Sequence, residues 1–93
     1  MRESVIEAAI RKYAISRGML VYKFTSPGKK GVPDRMFITR KGTVWFMEIK
    51  APGKKPTALQ ERELSLMAER GVTAWWTDNI MDGVKRVDNM ENR

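Results

Sequence analysis

Gly31-Val32-Pro33-Asp34-Arg35-Met36-Phe37-Ile38-Thr39-Arg40-Lys41-Gly42-Thr43-Val44-Trp45-Phe46-Met47-Glu48-Ile49-Lys50 is the stretch on which the fold turns. The segments from about Asp34 to Thr39 and from about Thr43 to Lys50 are rich in strand formers. Arg40-Lys41-Gly42 between them leaves room only for a tight connection, so the two predict an antiparallel hairpin. Gly42 suits the turn because it takes positive φ without steric cost. On the second strand a period of two puts Val44, Phe46, Glu48 and Lys50 on one face and Trp45, Met47 and Ile49 on the other. Both faces are apolar, so the strand is expected to be covered on both sides, with Glu48 and Lys50 pointing the same way.

In such a hairpin the start of one strand lies beside the end of the other, which brings Asp34 next to Glu48 and Lys50. Two unpaired carboxylates pushed together repel, and a divalent cation bridging their oxygens removes that cost. Mg²⁺ typically takes one or two carboxylates, with water and substrate phosphate completing its shell. A lysine beside it can position or deprotonate a water attacking phosphorus. An ordinary cross-strand salt bridge accounts for the same three residues.

Working outward, the segment from about Ser4 to Arg17 places Ile6, Ala9, Ile10, Tyr13 and Ala14 at helical spacing, and Gly18 stops it. Residues 19–24 read as a strand, followed by a basic loop over Ser26 to Gly31. Beyond the hairpin, Ala51 to Pro56 is a second loop with two lysines. Thr57 then caps a helix carrying Leu59, Leu64, Leu66 and Met67 that ends at Gly71. Residues 72–77 predict a fourth strand. A short last helix behind Asp78 carries Ile80, Val84 and Val87, and the polar tail after it is expected to fray. The order α-β-β-β-α-β-α makes a single α/β domain over residues 1–93, a small mixed sheet flanked by helices.

Two polar residues lean toward the apolar side of their helices. Glu7 shares a stripe with Ile10 and Ala14, and Gln60 with Leu64 and Met67. Both also fit a capping box, Ser4-x-x-Glu7 and Thr57-x-x-Gln60, in which the third residue reaches back to the cap's own N–H.

Composition narrows the chemistry. With 93 residues, no Cys and no His, disulfides, thiolate or imidazole metal ligands and Ser-His or Cys-His catalysis are excluded. Hard-metal chemistry on carboxylate oxygens survives. No apolar run approaches the roughly 20 residues of a membrane span, and the first 20 residues lack a signal-peptide core, so a cytoplasmic location is expected. The formal charge of +7 lies entirely in residues 1–41, where ten basic side chains face Glu3, Glu7 and Asp34. Residues 42–93 carry eight charges of each sign. A basic front of this kind suits a polyanion, nucleic acid first, although a cationic surface also serves solubility.

Gly31-Val32-Pro33-Asp34-Arg35, followed by Glu48-Ile49-Lys50 and then Gln60, resembles the PD-(D/E)XK nuclease pattern. More narrowly it resembles the virus-type replication-repair nuclease (VRR-NUC) domain, which occurs alone in phages and bacteria. The likeness runs from about Val5 to Val84, with the helical Glu7 and the Lys-Ala-Pro-Gly-Lys-Lys-Pro loop in their places. It implies a restriction-endonuclease-like core and a Mg²⁺ or Mn²⁺ site made by Glu7, Asp34 and Glu48, joined by the Ile49 carbonyl. In it Lys50 would orient or activate the attacking water, and Gln60 would support the site. It also implies a homodimer acting on branched DNA such as Holliday junctions or flaps, in a bacterial or phage-infected cell. Lys29, Lys30, Arg35, Lys54 and Lys55 fit as phosphate contacts around the site. The reading from another class is a non-catalytic basic DNA-binding module whose acids only make salt bridges. A third is an enzyme acting on a different phosphate ester. Trp45, Trp75 and Trp76 are expected in the core or a dimer face rather than against bases.

Overall fold

The hairpin forms where the turn residues place it. In the structure, a computed structural model that describes residues 1–93, it joins β2 (Arg35–Ile38) to β3 (Val44–Ile49). Gly42 closes the turn at φ +88°, and the Thr39 N–H donates to the Thr43 carbonyl at 2.9 Å. Arg35 opposes Met47, Phe37 opposes Trp45 and Ile38 opposes Val44. β1 (Leu20–Lys23) adds antiparallel to the far side of β2, and β4 (Ala74–Thr77) adds parallel to β3. The mixed sheet therefore runs β1-β2-β3-β4. With α1 (Glu3–Ser16), α2 (Ala58–Glu69) and α3 (Ile80–Glu91), the element order is the one expected from the sequence.

Alternation along β3 assigns its two faces. Trp45, Met47 and Ile49 join Phe37 under Ile6, Ile10 and Ala14 of α1 and Val87 and Met90 of α3. The Phe37 and Trp45 rings stack with centroids 4.1 Å apart. Burial of these side chains supplies the core, roughly 1.5–3 kcal/mol for each large one relative to leaving it in water. Trp75 and Trp76 are half-buried, while Trp45 is wholly inside. The opposite face is covered at one side only, because α2 packs on β4 and extends a hydrogen bond to β3 from Gln60 at its first turn.

Three expectations need correction. The tail does not fray. α3 runs twelve residues, and Met90, one helical step past Val87, is buried in the core. The Tyr13 hydroxyl donates to Asp88 at 2.6 Å and Arg17 pairs with Glu91 at 2.6 Å, which ties α3 to α1. Ser4 caps nothing, since α1 starts at Glu3 behind Arg2 with no side-chain cap. Of the apolar residues expected to anchor α2, Leu64 is buried and Leu59 is exposed, and the second buried position is the acid Glu63.

Candidate active site

The register that builds the hairpin also builds the site. Carried one step beyond the Arg35–Met47 pair, it sets Asp34 opposite Glu48. Glu48 is only 2% exposed, on the strand face opposite Trp45 and Met47. Lys50 stands on the same face, its Nζ 3.3 Å from Glu48 Oε2. The same oxygen accepts a 3.2 Å hydrogen bond from Gln60 Nε2. Gln60 fills both of its candidate roles at once. Its Oε1 accepts from the Thr57 N–H at 2.9 Å, and its own N–H donates to Thr57 Oγ1 at 3.2 Å, completing the capping box of α2. The amide oxygen closes the helix while the amide nitrogen faces Glu48.

The other carboxylate oxygen, Glu48 Oε1, is buried and has no hydrogen-bond partner. Burial, followed by the neighbouring charge of Asp34, pushes the Glu48 carboxyl up to about 7 against an ordinary 4.5, with Lys50 pulling the other way. A carboxyl shifted this far is partly protonated near neutral pH, and a bound cation would favour its ionised form.

Gly31 makes the juxtaposition possible. Its φ is +90°, and a Cβ there would stand 2.8 Å from the Leu59 carbonyl oxygen. Only glycine lets the loop before β2 press on the first turn of α2, so that Asp34 and Gln60 meet the same end of β3.

Glu7 reaches this end from α1, on the other side of Asp34. Glu7, Asp34 and Ile49 line one cavity of about 310 Å³, with Glu3, Lys23 and Arg35 around them. Because Ser4 is no cap, Glu7 is not bound into a capping box, and its Oε2 instead lies 3.0 Å from Arg35 Nε and 3.5 Å from Arg11 Nε. Neither guanidinium is aligned to hydrogen-bond it, and the oxygen is buried without a partner. The structure thus gathers Asp34, Glu48, Lys50 and Gln60, and separately Glu7, Asp34 and Ile49, with Asp34 common to both. It does not close the three carboxylates into one ligating cluster. The charges of Arg35 and Arg11 hold Glu7 to its own side.

The basic residues divide in the same way. Lys30, Lys54 and Lys55 are exposed on the two loops. Arg35 is occupied by Glu7, and Lys29 Nζ pairs at 3.2 Å with the buried Glu63. Sequence reasoning missed Glu63, whose place three residues after Gln60 carries no distinguishing signal. It also missed Asp78, which accepts the Gly53 N–H at 3.0 Å and anchors the second basic loop. That backbone hydrogen bond, foremost, holds the Asp78 carboxyl below its usual range.

No family model matches the chain. A phage protein, "Putative nuclease p44" of Acyrthosiphon pisum secondary endosymbiont phage 1, is 48% identical to it over 61 residues, 61% of this chain and 66% of the relative's length. A solved structure described as "VRR_NUC domain" superposes with a TM-score of 0.81 at 27% identity, covering 98% of this chain and 95% of that one. A second, "VRR_NUC domain protein", gives 0.75 at 17% identity over 95% and 86% of the two chains. Helices on a mixed sheet, with paired acids and a lysine at the end of its central hairpin, define the restriction-endonuclease-like α/β class. Within that class, the chain has the fold of the VRR-NUC domains.

Proposed function

We propose that this domain is a divalent-metal-dependent DNA endonuclease that hydrolyses phosphodiester bonds, preferentially at branched structures, in the cytoplasm of a bacterial or phage-infected cell. The observation that carries the reading is Glu48: a buried carboxyl with one free oxygen, pressed between Asp34 and Lys50. A salt bridge alone would not leave that oxygen unpaired, because a buried acceptor without a partner costs about 1–3 kcal/mol. The phage relative's printed name, a nuclease, agrees with it.

The residues fit a hard cation. The available donors are all oxygens: Glu48 Oε1 without a hydrogen-bond partner, the Asp34 carboxylate, and Glu7, whose Oε2 is ion-paired with Arg35 and would have to be shared with the metal, in a cavity that Ile49 also lines. Oxygen donors of this kind select Mg²⁺ or Mn²⁺ over softer metals. When bound, the ion supplies Lewis-acid charge that offsets the charge on the phosphate. The chain's own residues do the rest. Lys50 Nζ, held 3.3 Å from Glu48, orients the attacking water and handles its proton. Gln60 holds Glu48 in its rotamer from a capped helix end. Lys30, Lys54 and Lys55 bind flanking phosphates without reading sequence.

The reading includes a homodimer. The sheet face that α2 leaves open carries Leu20, Tyr22, Ile38 and Val44 and no charged residue until Asp34 and Glu48 at its far end. A phosphate backbone needs cations, which this face lacks, so a second copy of the same apolar face suits it better.

The Glu7–Arg35 pair favours the rival, a DNA-binding module whose acids are structural. Labelled four-way junction, flap and linear duplex incubated with Mg²⁺, Mn²⁺ or EDTA separate the two. Metal-stimulated nicking of the branched substrates, abolished in Asp34→Asn and Glu48→Gln with DNA binding retained, is the expected result. Binding without nicking in either metal establishes the rival.

A further inference from the structure

Two adjacent residues after β4 tie down the chain as it leaves the site. Lys50 follows β3 directly, and its N–H donates to the Thr77 carbonyl at 2.9 Å. Beyond it Ala51-Pro52-Gly53-Lys54 forms a β-turn, closed by the Lys54 N–H on the Ala51 carbonyl at 3.0 Å. Proline second and glycine third, with Gly53 at φ +80°, are the residues of a type II turn. The bond that closes the turn leaves its central peptide unpaired, and the Gly53 N–H is that peptide's donor. Asp78 Oδ2 accepts it at 3.0 Å. No other hydrogen bond joins residues 51–56 to the rest of the chain.

Asp78 is itself held in place. Its Oδ1 accepts from Asn79 Nδ2 at 3.1 Å, and Asn79 Oδ1 in turn caps α3 by accepting the Asp82 N–H at 2.8 Å. Both carboxylate oxygens are therefore engaged. The Gly53 hydrogen bond, foremost, keeps this carboxyl below its usual range, so it is charged at neutral pH. A negative charge tied to the turn that carries the exposed Lys54 repels the phosphates that Lys54 and Lys55 would meet. Attraction to DNA does not explain an acid here, and its hold on the turn does.

We propose that Asp78 is a positioning residue for DNA: by holding the Gly53 N–H, it fixes the turn at the exit of the site and aims Lys54 and Lys55 at flanking phosphates. The proposal rests on the DNA-binding reading above. Thr77 and Asp78 together set where the two phosphate-binding lysines stand relative to Lys50. Without the bond the loop still starts at Lys50 and ends at the buried Pro56, but its turn is free to swing. The cost of ordering two long side chains then falls on DNA binding.

The test uses the full chain and a labelled four-way junction without divalent metal, so that binding is read apart from cleavage. Asp78→Ala raises the net charge by one above +7, so attraction to phosphate alone predicts tighter binding. Positioning predicts the opposite, a loss of affinity on the order of fivefold. Asp78→Asn removes the same charge but keeps an oxygen for Gly53, and binds at least as tightly as wild type. In a Lys54→Ala, Lys55→Ala background, Asp78→Ala costs nothing further, whereas a general loss of stability weakens both backgrounds alike. Binding by Asp78→Ala at or above the wild-type level, an equal loss in both backgrounds, or an Asp78→Asn as weak as Asp78→Ala overturns the proposal. Should Asp78→Ala not fold, ¹⁵N relaxation of the wild type without DNA decides: the Lys54 and Lys55 amides are as ordered as those of β3, and order parameters below about 0.6 overturn the proposal. If the double lysine variant weakens binding and Asp78→Ala does not, the DNA reading survives alone. A wild type that leaves the junction unbound overturns both.

Discussion

Gln60 donates to Glu48 at 3.2 Å from the same side chain that closes the first turn of α2. One residue thus couples a helix terminus to the site, and the two functions separate by mutation. Thr57→Ala removes the hydroxyl cap but leaves the backbone N–H that orients Gln60 Oε1. It should cost about 1 kcal/mol of stability and leave cleavage near wild type. Gln60→Ala loses both the reciprocal cap and the contact to Glu48, so cleavage falls with stability. Thermal melts and nicking rates of the two variants check this. Equal nicking losses in both would mean that Gln60 acts only as a cap.

The raised carboxyl of Glu48 makes stability depend on pH in an uncommon direction. Its folded value of about 7 exceeds the ordinary 4.5, so between these the folded chain binds more proton than the unfolded one. Stability therefore falls as pH rises from about 4.5 to about 7 and levels off above. The limit for one group is roughly 3 kcal/mol. Asp78 is lowered from 3.8 and titrates below this window, so it does not contribute there. Melting temperatures from pH 5 to pH 8 without divalent metal should decline for wild type and decline far less for Glu48→Gln. Parallel curves would show that Glu48 titrates normally.

Much of this architecture was legible in the chain, for reasons that are local. Gly42 and the alternation from Val44 to Lys50 specify a hairpin, and a hairpin alone sets Asp34 against Glu48. Thr57 and Gln60 announce a cap through their spacing. The features that escaped are tertiary. Ser4-x-x-Glu7 satisfies the capping pattern, yet the cap of α1 falls on Arg2, two residues sooner, and Glu7 turns to Arg35, which is distant only in sequence. Met90 looked like part of a polar tail because its burial depends on α1. Glu63 is buried by Lys29, a pairing that no periodicity encodes.

That pairing separates the lysines by function. Lys54 and Lys55 are exposed, whereas Lys29 is held by a buried acid. Lys54→Ala with Lys55→Ala should weaken DNA binding and reduce the slope of log affinity against log salt by about 2. The melting temperature should not move. Lys29→Ala should change the slope less and lower stability, by at most about 1 kcal/mol because its ammonium is largely in solvent. Salt titrations of binding, paired with melts, distinguish them. A slope for Lys29→Ala that matches the double variant would place Lys29 on phosphate.

The open sheet face sets the last prediction. Leu20, Tyr22 and Val44 are 55%, 46% and 41% exposed on the strands that form it. Isolated apolar residues on a surface need no explanation, but a contiguous patch on a sheet face does. A chain of 93 residues also gains more from a partner than a large one would, since it buries proportionally less of itself. Leu20→Glu and Val44→Glu place a carboxylate on the patch at positions already exposed, so an isolated chain should tolerate them. In a dimer the same substitutions set like charges against one another across a two-fold axis. Gel filtration with light scattering should therefore give wild type at twice 10.7 kDa and both variants at the single-chain mass, still folded by circular dichroism. Met81→Glu, exposed on α3 away from the patch, should remain dimeric. Loss of the dimer should reduce paired cuts on a four-way junction more than nicking of a flap, because only the junction offers two symmetric scissile bonds. A wild type that elutes as a single chain at micromolar concentration removes the dimer from the proposed function and leaves the open face without an occupant.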